Sequence, residues 1–318
     1  MRGVLFDGRL HVSDDIPVPV RRTDEALIRV HRAGICGTDL EVVRGYKGSH
    51  GVLGHEFVGT VVEAADEAWV GRRVCGEINV TCGDCAFCRR GLSSHCLQRT
   101  VLGILNHPGA FAEFVALPMA NLHAVPPAVT DDEAVFAEPL AAAYQILEQV
   151  SIQQGDRAVV LGDGRLGILC AQVLKSAGAM VEVVGKHSRK LTVLADRGIS
   201  VRERTEGLPE QSALVIEATG SASGLVDALA LVEPRGTIVL KSTFVGDTPF
   251  DLSPAVVNEV TLIGSRCGPF PRALDALARK IIAVTPLIDG CFALAQATDA
   301  FALAGTPGVI KILFAVEA

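Results

Sequence analysis

Cys82, Cys85, Cys88 and Cys96 stand in the spacing C-x2-C-x2-C-x7-C, with Gly83 and Gly91 between them. Thiolates so spaced can converge on one tetrahedral zinc ion, and a zinc held by four thiolates has no open position for substrate. The stretch 82–96 therefore organises a lobe, and any chemistry has to come from other residues. A second set of ligand types is scattered through the first half: Cys36 with Thr38 and Asp39 just after it, His55 followed by Glu56, and Glu138 ahead of Pro139. One Cys, one His and one or two Glu can bind zinc and still leave a position for water or substrate, which metal-assisted catalysis requires. Singly these residues are ordinary: a lone Cys is more often a small core residue, a lone His a structural one, and Glu138 a helix N-terminal carboxylate. Their occurrence together, beside a separate cysteine lobe and a dinucleotide-type glycine loop, favours the functional reading.

That glycine loop is Gly162-Asp163-Gly164-Arg165-Leu166-Gly167. The pattern G-x-G-x-x-G is weak alone, but here it follows an apolar strand and opens an amphipathic helix, the context that makes it a dinucleotide site. Gly162 permits the tight turn, Gly164 lets a pyrophosphate approach the backbone, and Gly167 lets helix and sheet pack closely. The helix N-terminus then faces the phosphates. Dinucleotide folds that use NAD usually carry an acid at the end of the next strand, for the ribose 2′-hydroxyl. This chain has Gly185, Lys186, His187, Ser188, Arg189 and Lys190 there. Arg189 and Lys190 fall in the first turn of a helix, where cations oppose the macrodipole. A nearby phosphate offsets that penalty, so NADP is favoured over NAD, with Lys186 and Arg189 on the 2′-phosphate; simple solvation of these charges is the competing explanation.

The elements that must position these residues change style along the chain. Residues 26–30, 57–63, 73–77 and 111–116 read as strands separated by Gly and Pro, which predicts a β-rich first domain with long loops. Cys36 to Asp39 falls in a loop after the first of these. After Pro126-Pro127 the pattern shifts to a helix over 137–150 and then alternates. Strands are expected at 158–161, 181–184, 199–202, 214–218, 236–240 and 260–263, with helices after the first two, which implies a parallel sheet covered on both faces. A last segment, 271–318, holds a helix at 273–282 and a terminal strand at 309–314, and is expected to return to the first domain. The predicted domains are thus 1–126, 127–270 and 271–318.

The bulk numbers bound the partners. The chain has 318 residues, a formal charge of −7, 49% hydrophobic and 20% charged residues, and nine cysteines. These values suit a folded protein with a sizeable core, and neither nucleic acid nor an anionic membrane is an expected partner. The N-terminus reaches Asp7 before any apolar stretch of signal-peptide length, and no apolar run is long enough to span a bilayer. The cytoplasm is the expected compartment, where unpaired thiols and metal ligands are favoured over disulfides.

Together, Cys36-Gly37-Thr38-Asp39, Gly54-His55-Glu56, the four-cysteine lobe, Glu138-Pro139-Leu140 and the glycine loop resemble the zinc-dependent medium-chain dehydrogenase/reductase family. The likeness is closest to the sorbitol, threonine and glucose dehydrogenase branch. The resemblance implies a GroES-like β-rich catalytic domain and a Rossmann doubly wound parallel sheet, in the α/β class. It implies two zinc ions per subunit, a structural one on Cys82, Cys85, Cys88 and Cys96, and a catalytic one on Cys36 and His55. Glu56 and Glu138 would be further ligands, directly or through water. Thr38 would take the proton of the substrate hydroxyl, and Asp39 would orient His55. Many relatives have His where this chain has Glu41, which could relay a proton, leave that to water, or be a solvated charge. The implied cofactor surface adds Gly185, His187, Thr219, Lys241, Ser242, Thr243 and Arg266 to the glycine loop.

The implied activity is hydride transfer between a secondary alcohol, polyol, sugar or amino alcohol and a nicotinamide, or the reverse reduction of a ketone or aldehyde. A cofactor-binding regulator that has lost turnover is the alternative, and such a protein would have lost Cys36, Thr38, His55 or Glu56. The substrate is a small alcohol or carbonyl compound whose pocket is expected near Tyr46, His50, Leu105, Asn106 and Arg266-Cys267. Arg44, Lys47 and His50 are better read as solvated loop charges than as an anion site. A homo-oligomer, dimer or tetramer, is expected, with the strand at 260–264 as a candidate for pairing across subunits.

Overall fold

The computed structural model describes residues 1–45, 50–204, 207, 209–243 and 251–316. By residue contacts the chain forms two compact units. One is Met1–Glu138 with Ala273–Lys280 and Ile288–Ala318; the other is Pro139–Arg272 with Ile281–Leu287.

The first unit is built on a strand, Glu25–Gly34, that pairs antiparallel with Glu56–Ala64, Phe114–Pro118 and Lys311–Ala315. Arg73–Gly76 and Leu122–Ala124 extend one side of this sheet, and Ile288–Ala293 closes the other, parallel to Lys311–Ala315. Burying a run such as Ala26, Leu27, Ile28 and Val30 stabilises the sheet by about 1.5–3 kcal/mol for each large aliphatic side chain. Phe111 meets Phe314 edge to face at 5.0 Å between ring centroids, so the returning C-terminal strand shares the core of the first half. Two small three-stranded sheets flank this one among the described residues.

The second unit holds six parallel strands in the order Ser200–Glu203, Met180–Gly185, Arg157–Leu161, Ser212–Glu217, Val232–Leu240 and Thr261–Gly264. In chain order that is third, second, first, fourth, fifth and sixth, the doubly wound order that places ligands at the strands' carboxyl ends. Its core includes Val159, Leu161, Val184, Val215, Leu231 and Ile238. Gly162, directly after the first strand, has φ of +113°, and a Cβ there would lie 2.4 Å from the Ala218 carbonyl oxygen. Only glycine fits that turn.

Four expectations need correction. Cys36 to Asp39 is not a loop: Cys36 caps the helix Gly37–Val43, and Asp39 Oδ2 accepts the Cys36 N–H at 2.7 Å, closing the first turn. The change of unit falls after Glu138 and not at 126. The intervening helix Asp131–Ala134 is tied to the first unit, since Asp131 lies 3.0 Å from both His31 Nδ1 and Arg73 Nη1, and Asp132 3.0 Å from Arg32 Nε. The late helix runs Phe270–Ala278, ending before Lys280, which has φ of +56°. The last segment also contains a strand, Ile288–Ala293, and a helix, Ala297–Ala304, beyond the two elements expected.

Candidate active site

Two groups of ligating side chains converge among the described residues. In each, all ligand atoms lie within 4.8 Å of one another. One is Cys82, Cys85, Cys88 and Cys96, with sulfur–sulfur distances of 3.5 Å for Cys85–Cys88, 3.9 Å for Cys85–Cys96 and 3.5 Å for Cys96–Cys82. Four sulfurs at about 2.3 Å from a tetrahedral zinc sit about 3.8 Å apart, so the cluster has the size of a zinc tetrathiolate. Backbone N–H groups of Cys82 and Gln98 lie 3.4 Å from the Cys96 sulfur. They push its thiol pKa down, and N–H groups of Cys88 and Leu97 push that of Cys85 down to about 6. Donors aimed at sulfur favour the thiolate form a metal needs at Cys85 and Cys96, whereas the Asp84 side chain pushes Cys82 up to about 12 and burial pushes Cys88 up. Cys85→Ser should lower stability by several kcal/mol, less than the about 10–16 kcal/mol that zinc contributes to isolated finger peptides. Turnover per folded molecule should stay near wild type, as read by urea unfolding alongside initial rates. Normal folding with slow turnover would reverse the roles of the two metal groups.

The other group is Cys36, His55 and Glu56. Cys36 stands at the N-terminus of the helix Gly37–Val43, and Glu56 begins the strand Glu56–Ala64. His55 and Glu56 are buried, and Cys36 is half-buried. Asp39, fully buried, turns Oδ1 to His55 Nδ1 at 3.2 Å while its other oxygen caps the helix. A carboxylate beside Nδ1 favours the proton there and leaves Nε2 to face a metal. Thr38 Oγ1 lies 3.8 Å from the Cys36 sulfur, so a hydroxyl borders the group. The Glu56 carboxylate is buried without a hydrogen bond, with the Lys311 ammonium as its counter-charge. Buried carboxylate oxygens left in this state are costly, and a divalent cation on Cys36, His55 Nε2 and Glu56 would satisfy them, while His55 Nδ1 and Asp39 Oδ1 face one another. The donor set of sulfur, nitrogen and oxygen fits zinc and has room for a further ligand.

Burial opposes charging of the His55 imidazole, but Asp39 and Cys36 more than offset this and hold its pKa well above the ordinary 6.5. Zinc must displace that proton. Its affinity at this site should therefore fall about tenfold for each unit of pH lowered while His55 is protonated in the metal-free form. Without metal the sign is opposite: the raised pKa contributes stability that is complete below 6.5 and is lost as pH rises through the folded value. Chelator competition across neutral pH measures the first effect, and a flat affinity would contradict it.

Sequence reasoning missed Lys311. It is 1% exposed and forms an ion pair with Glu56. Its ammonium also lies 3.3 Å from the Ile35 carbonyl oxygen and 5.6 Å from the centre of the Phe136 ring. Burial pushes its pKa down to about 8, against the upward pull of Cys36 and Asp39. Gly34 makes room for it, since a Cβ there would come 2.4 Å from Lys311 Cε. The one signal was a lone charge inside the apolar strand at 309–314.

The remaining site candidates fall as follows. Glu138 is half-buried in the first turn of the helix Ala137–Gln149 and is not one of the three converging ligands. Glu41 is on the helix Gly37–Val43 and pairs with Arg44 at 2.6 Å. Tyr46 and Lys47 lie outside the described residues. His50 stacks on Phe6, and Leu105 and Asn106 sit next to one another at the short strand Asn106–His107.

In the second unit the cofactor candidates gather after the carboxyl ends of parallel strands: Gly162 to Gly167, Gly185 to Arg189, Thr219, and Lys241 to Thr243. A Cβ on Gly164 would meet nothing within 4 Å, which leaves an open cradle at the N-terminus of the helix Arg165–Ser176, as a pyrophosphate requires. Thr219 Oγ1 donates to Glu217 at 2.6 Å, and Ser242 Oγ accepts the Gly220 N–H at 2.8 Å. The buried Lys241 ammonium donates to the Ala142 carbonyl at 2.7 Å and to Ser265 at 3.1 Å, a packing role. Arg266 is exposed beside Cys267. Among the described residues no helix is long and apolar enough to cross a membrane.

Residues 22–127 match the alcohol dehydrogenase GroES-like domain, and residues 166–281 match the zinc-binding dehydrogenase domain. The chain is similar to L-threonine 3-dehydrogenase of Coxiella burnetii, with 31% identity over 70% of this chain and 70% of the relative. Sorbitol dehydrogenase of Bombyx mori is 29% identical over 97% of each chain. Among solved structures, a zinc-binding dehydrogenase from Sinorhizobium meliloti 1021 bound to NADP matches with a TM-score of 0.91 and 26% identity, covering 99% of this chain and 98% of that one.

Proposed function

Because this chain belongs to the zinc-type alcohol dehydrogenase family of medium-chain dehydrogenases, we propose that it transfers hydride between a secondary alcohol or polyol and a nicotinamide cofactor. The reverse reaction takes the corresponding ketone or aldehyde. The observation that carries this reading is the convergence of Cys36, His55 and Glu56 beside Thr38, in a chain that also holds a dinucleotide loop.

When bound, zinc supplies Lewis acidity toward the substrate oxygen, and the nicotinamide exchanges the hydride. The protein's own groups divide the rest. Cys36 and His55 hold the metal, with Glu56 and Glu138 as further or alternating ligands. Asp39 fixes the His55 ring. Thr38 Oγ1 takes the hydroxyl proton, and Glu41, paired with Arg44, is a surface charge in this reading rather than a relay. Lys311 supplies the counter-charge to Glu56. A retired regulator has no support in these residues, since Cys36, Thr38, His55 and Glu56 are all present.

NADP is the cofactor this reading favours. Lys186 and Arg189 are exposed after the second parallel strand, whose last residues, Val183, Val184 and Gly185, include no acid. The acid in register with Gly185 is Glu203, which accepts the Ser188 hydroxyl at 2.5 Å. Replacing Lys186 and Arg189 together by Ala should raise KM for NADP about tenfold or more, as expected for losing hydrogen bonds to a charged phosphate, and should leave KM for NAD nearly unchanged. Initial rates with both cofactors and a panel of alcohols and ketones, followed by nicotinamide absorbance, test activity and preference together. No turnover in any pairing would remove the enzyme reading, and a clear preference for NAD would remove the role of the two cations.

The same reading includes two zinc ions per subunit and a cytoplasmic homo-oligomer. The edge strand Thr261–Gly264, with Leu262 38% exposed, is its candidate contact.

A further inference from the structure

Asp163 lies between the first two glycines of the phosphate loop and is 7% exposed. Its Oδ2 accepts the backbone N–H of Lys186 at 2.7 Å and of His187 at 2.6 Å, and stands 3.0 Å from His187 Nδ1. These three groups belong to the segment that follows the strand Met180–Gly185. Gly185 completes the fit, because a Cβ there would lie 2.6 Å from Asp163 Cβ and 2.8 Å from Oδ2. Thus Asp163 fills the space that a side chain at 185 would take. Its carboxylate turns toward the backbone of residues 186 and 187. The exposed side chains of that segment include the cations Lys186 and Arg189, and His187 is half-buried against Asp163.

We propose that Asp163 is the positioning residue of a 2′-phosphate subsite: it clamps the backbone of Lys186 and His187 so that Lys186 and Arg189 face the 2′-phosphate of NADP. This rests on the NADP reading above. A carboxylate accepting several N–H bonds makes charge-assisted bonds about twice as strong as neutral ones, which suits it to hold a short segment rigid.

The test is equilibrium binding of 2′,5′-ADP and of 5′-AMP to the zinc-loaded protein. The two probes differ only in the 2′-phosphate. Wild type should prefer 2′,5′-ADP; a wild type with no preference sinks the NADP reading and this inference with it. Given that preference, Asp163→Ala should lower the ratio of the two affinities about tenfold, the loss of one charged contact, with 5′-AMP binding little changed. Asp163→Asn, which keeps an accepting oxygen but not the charge, should lower the ratio less. If Asp163→Ala does not fold, the same ratio is read on Asp163→Asn. A preference for 2′,5′-ADP that stays at or rises above its wild-type size in the folded variant means the carboxylate only packs or repels, and overturns the inference.

Discussion

Cys36→Ser should lower turnover about a thousandfold or more, since the metal supplies several kcal/mol of charge stabilisation and each 1.36 kcal/mol is worth about tenfold in rate. The fold should survive. Cys36 is only half-buried, and its removal leaves the sheet Glu25–Gly34, Glu56–Ala64 and Lys311–Ala315 and the four-cysteine lobe intact. His55→Ala should be as inactive, and in addition less stable by about 1–3 kcal/mol, because the buried Asp39 Oδ1 loses the ring that faces it. Initial rates per folded molecule, with zinc content measured on the same samples, separate the two effects. Near-normal rates at full zinc occupancy in either variant would show that the hydride chemistry lies elsewhere.

Lys311→Met should carry the largest cost in stability. The ammonium and the Glu56 carboxylate are both fully buried and paired. Removing one partner of a buried pair typically costs about 3–5 kcal/mol, because the other is left as an uncompensated charge. The deficit should be greatest in the metal-free protein and smaller once zinc is loaded, since a divalent cation beside Glu56 takes over as counter-charge. Adding Glu56→Gln to Lys311→Met should recover most of the loss. Urea unfolding of the single and double variants, each with and without zinc, gives all four numbers. A single variant within about 0.5 kcal/mol of wild type, as for an ordinary surface change, would mean that Lys311 and Glu56 are not coupled.

The pairing of Lys311 with Glu56 marks the limit of what the sequence discloses. The cysteine lobe is legible because its ligands are close in the chain and thiols at that spacing have few other uses. The glycine loop is legible because strand, turn and helix are consecutive. Cys36, His55 and Glu56 could be grouped from residue type, but their convergence depends on a helix start. That helix was hidden, because Cys36 is an unusual cap and Gly37 an unfavourable first residue, while the bond that closes the turn comes from Asp39. Lys311 reaches Glu56 through a strand that enters the sheet from the far end of the chain, and no local pattern encodes that pairing. Asp163 escapes for another reason. Two of its three partners are backbone N–H groups, which every residue but proline has, so nothing at 186 and 187 announces them. The strand Ile288–Ala293 was missed because Asp289 and Gly290 interrupt its pattern, and its register shifts between Ile288 and Gly290.

A metal ion incompletely held by Cys36 and His55 with Glu56 should be present besides the one in the cysteine lobe. Elemental analysis after zinc reconstitution and desalting should therefore give two zinc equivalents per chain in wild type and one in Cys36→Ser. A single equivalent in both, lost only when Cys85 is replaced, would show that the Cys36 group holds no metal.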